Sequence, residues 1–515
     1  MLVNPNVVVQ RDDTLTTGII YMPVGLAYLA AVLREQGLPC KVIDAFGEEP
    51  NQCRIEDRFL VRGLTPDQVV DRMPPQTSAV VIYAVNLTHH RSLSEIVRAV
   101  RERLAAVPVA VMENTQAVTA YSLRRVQESL YDLGVDYVIT GEAEERGVEL
   151  LRHLAAGDAR EDVPEIDGIG VRRGGTTFYT PPRRFVQDLD SVPFPAWDLF
   201  PVSNYWRLRY AHGPLETGRY LPLLTSRGCP YPCRFCIIPE TNGRKWRART
   251  AANVVDEMAH FRDSLGVREF HVEDVDPTVN DGRTREICEE IIRRDLGVTW
   301  KLASGTKVET IKDEETVGLL AQAGCTYVSI SPETGSPAVL SSMNKPFDLD
   351  HAVRMVRKMN AVGIASQACF VLGFPGETDD DLLSTRKLVR RLTKVGVDEI
   401  ALFIVTPAPG SEIFESFSGY GDYSELTFSP RWRGDYAKLN RFRLKLYGSF
   451  LLWKLCFHPG KIAVQPFRFL ARRFRTKMEM TPYRALHTMM LALGLAGRRV
   501  RGQRGAPRRA AGASP

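Results

Sequence analysis

Short apolar runs alternate with amphipathic segments along roughly the first 180 residues. Leu2-Val3 and Val7-Val9 flank Asn4-Pro5-Asn6, a turn signal near the end of a first strand. Pro23 opens a helix in which Leu26, Leu29, Ala30 and Leu33 fall at i, i+3, i+4 and i+7, and Gly37 stops it. Lys41–Asp44, Ala79–Ala84, Val107–Met112 and Asp136–Thr140 read as four further strands, with a helix-like segment before each. Near-continuous Val/Ile runs separated by helices predict a buried parallel sheet covered on both faces. Such α/β sheets take ligands outside the carboxyl ends of their strands.

The stretch 151–192 reads as a linker, turn-rich from Gly170 onward. A second series follows, with strands centred on Leu224, His271, Leu302, Ser329, Val371 and Phe403 and helical stretches between them. Six strand–helix units predict a partial or full parallel barrel with its site at the carboxyl ends of the strands. From 418 to 497 the pattern turns helical, aromatic and basic, and 498–515 reads as a disordered tail.

Composition sharpens this picture in two places. At 515 residues the chain has room for about three domains. Its 44% hydrophobic and 25% charged residues are those of an ordinary globular protein. Nine cysteines are too few for a secreted disulfide framework, and MLVNPNVVVQ lacks the basic start of a signal peptide. The expected location is the cytoplasm. The formal charge of +6 hides an asymmetry: from Arg431 onward 20 Lys+Arg face two acids, Asp435 and Glu479, so the preceding part is net acidic.

The strongest chemical signal is Arg227-Gly228-Cys229-Pro230-Tyr231-Pro232-Cys233-Arg234-Phe235-Cys236, directly after the first strand of the second series. A C-x3-C-x2-C loop can point three thiolates at one centre. Soft sulfur ligands suit an iron–sulfur cluster with one open iron, zinc or Cu(I). Structural zinc normally takes four closed ligands, and no partner pair lies nearby. Three buried unliganded thiols are the other bland alternative.

This loop resembles the hallmark of the radical S-adenosylmethionine (SAM) superfamily, C-x3-C-x-aromatic-C, with Phe235 at the aromatic position. The resemblance extends through His271–Thr278, Ser329–Ser336, Phe370–Thr378 and Thr406–Ser411, in order and at strand ends, and covers about Pro193 to Phe417. It implies that Cys229, Cys233 and Cys236 hold a [4Fe–4S] cluster whose open iron binds SAM. It further implies SAM contacts at Phe235, Asp274, Ser304, Glu333, Gly373 and Pro375, and an electron donor such as flavodoxin or ferredoxin.

The first 150 residues offer no G-x-G-x-x-G after the first strand, which argues against a dinucleotide site. Their layout resembles the Rossmann-like cobalamin-binding domain that precedes the radical SAM barrel in one large subfamily. That resemblance implies corrin contacts at Gly25, Thr88, Glu113, Asn114, Gly141 and Glu142. Two departures stand out. No D-x-H-x-x-G occurs, which implies a cobalt without a protein histidine and leaves His89 and His90 as surface or loop residues. Met112-Glu113-Asn114-Thr115 stands where the subfamily often has Gly-Gly-x-His.

Taken together, the resemblances imply a cobalamin-dependent radical SAM enzyme, foremost a C-methyltransferase acting on an unactivated carbon of a small natural product or lipid. Oxidative cyclisation or rearrangement without methyl transfer is the alternative. Methylthiolation of tRNA or protein is disfavoured because Cys40 and Cys53 form no second cluster set, and a corrin carrier because the barrel motifs are complete. The basic C-terminal region reads either as an interfacial element touching the inner face of the membrane or as a helical cap on the barrel. No nucleic-acid reader motif is present.

Overall fold

A computed structural model describes residues 1–156 and 166–504, the last helix by its backbone alone beyond 494. The apolar runs of the first series become strands Leu2–Asn4, Val42–Asp44, Val80–Ala84, Val109–Glu113 and Tyr137–Ile139. They pair in parallel, with Leu2–Asn4 between Val42–Asp44 and Val80–Ala84. Val80–Ala84 and Val109–Glu113 are buried along their whole length, as strands covered on both faces must be. The predicted helix spans Val24–Glu35, buries Leu26, Leu29, Ala30 and Leu33, and ends before Gly37 at φ 71°.

The segment read as a linker is more than a linker. Ile169–Arg173 and Thr176–Tyr179 form a hairpin that extends the parallel sheet antiparallel to Tyr137–Ile139, giving seven strands. Its alternating, half-exposed pattern (Thr176–Tyr179 runs exposed, intermediate, exposed, intermediate) is that of an edge element, which short-run reading takes for loop. Val7–Gln10 likewise leaves the main sheet and joins Phe59–Arg62 and Cys53–Glu56 in a small antiparallel one.

All six strands of the second series are present: Tyr220–Leu223, Glu269–Val272, Thr299–Thr306, Cys325–Glu333, Ala365–Leu372 and Glu399–Ile404. They pair in parallel in sequence order and form an open, partial barrel. Sequence-local caps set the helix boundaries. Thr250 accepts from Asn253 N before 251–265, and Thr378 with Asp381 forms a capping box before 379–395.

The C-terminal region is helical over Tyr436–Phe457, Pro459–Ala463, Gln465–Ala471 and Lys477–Arg504. Helix therefore continues through 498–504, the start of the expected tail, and 505–515 lie outside the described residues. Leu439, Leu446, Phe450, Phe474 and Met480 are buried against the body, and Leu402 N donates to Tyr447 Oη at 3.0 Å. Phe467 and Leu470, by contrast, are 73% and 79% exposed. Among the described residues no helix is long and apolar enough to cross a membrane.

Candidate functional site

The cysteine loop begins where the first barrel strand ends. Gly228 has φ 78°, and a Cβ there would run into the carbonyl of Lys245, so this turn needs glycine. Ser226-Arg227 pairs with Arg247-Ala248, Arg234 N donates to Met343 O (3.1 Å), and Asn344 Nδ2 to Pro232 O (3.2 Å). Within the loop Cys236 N donates to Cys233 O (3.1 Å) and Ile238 N to Cys236 Sγ (3.5 Å). Cys229, Cys233 and Cys236 are free and half-buried.

Burial pushes the Cys229 thiol up to about 12 and raises Cys233 and Cys236 as well; the three also raise one another where they interact. Three thiolates here therefore need a cationic centre to form. Among the described residues no three His, Cys, Asp or Glu side chains are gathered tightly enough for a single metal ion.

Around the loop the expected SAM residues divide. Phe235 packs with Val339, Met343, Val371 and Phe374. Glu333 is buried, sits at φ 61°, and accepts from Lys345 Nζ at 2.5 Å. A glutamate held in the left-handed region at a strand end is strained backbone of the sort that clusters at functional sites. Burial works against both members of that pair, yet Glu333 and Cys233 keep Lys345 protonated. Ser304 Oγ points at Glu273 Oε2 (3.3 Å).

Asp274 and Gly373 are engaged by the chain itself, and Pro375 is exposed. Asp274 accepts from Thr225 N (2.7 Å), Thr225 Oγ1 (2.7 Å) and Ser226 Oγ (2.6 Å), so both its oxygens anchor the strand leading into the cysteine loop. Gly373, at φ 77°, gives its carbonyl to Arg433 Nη2 (3.0 Å) and its amide to Glu377, and Pro375 is exposed on the turn.

At the carboxyl edge of the N-terminal sheet two cavities share Glu113. One, of about 20 Å³, is lined by Gly25, Glu113, Asn114, Gly141 and Glu142 together with Tyr28, Tyr83, Leu224 and Arg227. The other, of about 380 Å³, adds Arg124, Tyr179, Arg183, Phe185 and Lys245. Five of the six expected corrin residues thus meet in one place. Thr88 lines neither cavity; its hydroxyl donates to Asn86 Oδ1 at 2.7 Å. His89 and His90 line neither, and they are buried rather than on the surface: His90 Nδ1 lies 3.0 Å from Tyr121 Oη. Gly25 is a cradle position, since a Cβ there would sit 2.7 Å from Tyr83 Oη. Buried Glu113, Asn114 and Glu142 supply polar partners there, the donor set that a polar-edged cofactor such as a corrin needs.

The two sites adjoin. Arg227, which opens the cysteine loop, lines the smaller cavity, donates to Glu144 Oε1 (2.6 Å) and stacks over Tyr28. Glu142 grips Arg247 through both oxygens (2.7 and 2.9 Å) and accepts from Val186 N. Those contacts make Glu142 a strut between the domains. Asn242 Nδ2 donates to Thr115 O (2.9 Å), and Ser122 N to Pro409 O (2.9 Å). Arg227, Arg247 and Lys345 carry no motif of their own, because isolated basic residues in loops look alike in sequence.

Residues 223–389 match the model of the Radical SAM superfamily. They form a radical SAM domain. The chain is a radical SAM enzyme, with SAM and a [4Fe–4S] cluster as cofactors. It is 27% identical over 471 residues to the cytidylyl-2-hydroxyethylphosphonate methyltransferase of Streptomyces wedmorensis, covering 84% of each chain. It is 29% identical over 294 residues to the anaerobic magnesium-protoporphyrin IX monomethyl ester cyclase of Rubrivivax gelatinosus, covering 57% of this chain and 50% of the relative. Its fold is that of the radical SAM methyltransferase TsrM from Kitasatospora setae with cobalamin and [4Fe–4S] cluster bound. The TM-score is 0.60 at 20% identity, over 80% of this chain and 73% of that one.

Proposed function

We propose that the protein is a cobalamin-dependent radical SAM C-methyltransferase acting on a small molecule. The observation that carries this reading is the adjacency of the two sites: Arg227 belongs at once to the cysteine loop and to the lining of the N-terminal cavity. Cys229, Cys233 and Cys236 would hold the cluster, and Phe235 and Glu333 would lie along SAM. Gly25, Glu113, Asn114 and Gly141 would border the corrin, with no histidine of this chain on cobalt. When bound, the cluster would supply an electron that splits SAM into methionine and a hydrogen-abstracting 5′-deoxyadenosyl radical, and the corrin would supply the methyl group.

The chain's own part is placement and exclusion. The Glu142–Arg247 and Glu144–Arg227 pairs clamp the N-terminal domain on the barrel mouth and hold the two cofactor places side by side. Glu113 ties Gly141 N (2.7 Å) and Leu123 N (2.9 Å), fixing the loop edges beside that space. A methyltransferase relative (27% identical, 84% of this chain) and a cyclase relative (25% identical, 85% of this chain) both match over most of the length, so the fate of the methyl group is what separates the two readings. The 150-, 192- and 417-residue boundaries stand as proposed domain limits. A peripheral membrane contact through Phe467, Leu470 and their neighbours Arg468 and Arg472 is part of the proposal only as a surface property.

The test is anaerobic incubation of reconstituted protein with reductant, methyl-deuterated SAM and candidate metabolites. A product heavier by one labelled methyl replacing hydrogen, formed with 5′-deoxyadenosine, supports the reading. Product lacking the label but oxidised by loss of hydrogen supports cyclisation instead.

A further inference from the structure

The open flank of the barrel, between Tyr220–Leu223 and Glu399–Ile404, is filled from outside the barrel sequence. Phe474 N donates to Leu215 O (2.8 Å), and the amides of Lys477 and Met478 donate to the Glu399 carboxylate (3.1 and 2.5 Å). The start of the last helix thereby enters the barrel. Lys477 Nζ donates to Ala303 O (2.8 Å) and to His212 Nε2 (3.2 Å). A lysine only donates, so that nitrogen accepts, and His212 is neutral with Nδ1–H donating to Glu273 Oε2 at 2.6 Å. Burial lowers the His212 pKa, in keeping with this.

His212 and Glu273 each keep 14% of the side chain exposed, so the pair borders open space just past Glu269–Val272. Two of the three ammonium hydrogens of Lys477 are used; the third has no acceptor among the described residues.

Two helical turns on, Arg484 is 4% exposed. Its Nη2 donates to Leu15 O (2.6 Å), while its Nε is buried without a partner. The groups facing it are Tyr21, Tyr210 and, less strongly, Asp13, with Arg62 repelling it. Arg62 is fully buried too and bonds only Pro50 O and Tyr210 Oη. Tyr21 links the two cations, because its ring stacks on His212 at 4.6 Å and its hydroxyl interacts with Arg484. Neither cation has a carboxylate within ion-pair distance among the described residues; Glu273 and Glu399 act on Lys477 only from farther off. By contrast, buried Arg146, Arg227 and Arg249 each meet a carboxylate directly. Buried charge is costly unless it is paired, so two buried cations with unused donors call for an anion from outside the chain.

We propose that Lys477 and Arg484 bind an oxyanion of the substrate, a phosphate, phosphonate or carboxylate, and hold it inside the barrel through its open flank. This rests on the radical SAM reading of the barrel and narrows its substrate to an acidic small molecule rather than an uncharged lipid. His212, oriented by Glu273, positions Lys477.

The experiment uses full-length reconstituted protein, with thermal unfolding followed against inorganic phosphate, methylphosphonate and acetate. Saturable stabilisation by one of these is expected, and which one separates the phosphorus acids from carboxylates. Lys477→Met and Arg484→Gln should each weaken that affinity about tenfold or more, the loss expected for a charge-assisted hydrogen bond. Arg441→Gln, an exposed arginine on the neighbouring helix, should not. No saturable response in the unsubstituted protein overturns the proposal even if the variants fail to fold. So does an equal response in protein and variants. Iron, sulfide and corrin contents measured on the same samples show separately whether the cofactor reading stands.

Discussion

The cysteine loop and the N-terminal cavity do comparable jobs by different means. The loop is local: three donors lie within eight residues, and the turn needs only Gly228 and two prolines to aim them. The cavity is assembled from four separate places, the helix start at Gly25 and the strand ends at Glu113, Gly141 and Arg227, with no run of residues common to them. A local site survives changes elsewhere and fails completely when its few donors go. A distributed site should fail by degrees, through the struts that hold its walls together.

The largest effect should come from the loop. Replacing Cys229, Cys233 and Cys236 by Ala should abolish bound iron and reductive SAM cleavage while leaving corrin uptake by the N-terminal domain intact. A triple variant that still produces 5′-deoxyadenosine would refute the cluster assignment. Next comes Arg247→Ala, which leaves the buried Glu142 with the Val186 amide and, as its remaining cation among the described residues, Arg227 at 3.7 Å. It should cost about 3 kcal/mol in denaturant unfolding and lower corrin content without removing iron. Equal loss of both cofactors would erase the contrast between the two sites.

A similar but pH-dependent effect belongs to Glu113, whose carboxyl burial pushes up to about 7 against the amides of Gly141 and Leu123. Its folded pKa lies above the unfolded value, so the stability it contributes is complete below about 4.5 and is lost as pH rises towards 7. In corrin-free protein that slope should amount to something on the order of 3 kcal/mol, and Glu113→Gln should flatten it. An unchanged slope in the variant assigns the titration elsewhere. The smallest effect should be on the outer face of the C-terminal region. Phe467→Ser with Leu470→Ser should shift stability by less than about 0.5 kcal/mol, since both are exposed. If the region meets anionic vesicles, the double variant should lose co-sedimentation; equal recovery in the supernatant before and after substitution removes the membrane from the proposal.

Sequence by itself determined the two sheets' parallel cores, the six barrel strands and their order, and the cysteine loop. These rest on short-range physics: continuous Val/Ile runs, helical spacing, caps and a ligand spacing that few other arrangements share. The same reasoning missed the hairpin Ile169–Tyr179, whose buried run is only Ile169–Val171 and whose second strand is half-exposed, and it put His89 and His90 on the surface or in a loop. Only the tertiary structure decided which carboxylates are spoken for, as Asp274 is by Thr225 and Ser226, and which are struts, as Glu142 is for Arg247. It alone brought Lys477 beside His212, 265 residues away in the chain. A charged side chain looks the same in sequence whether it ends in water, on a partner or in an internal space. Its surroundings are set by residues far along the chain, so its role is written in the packing.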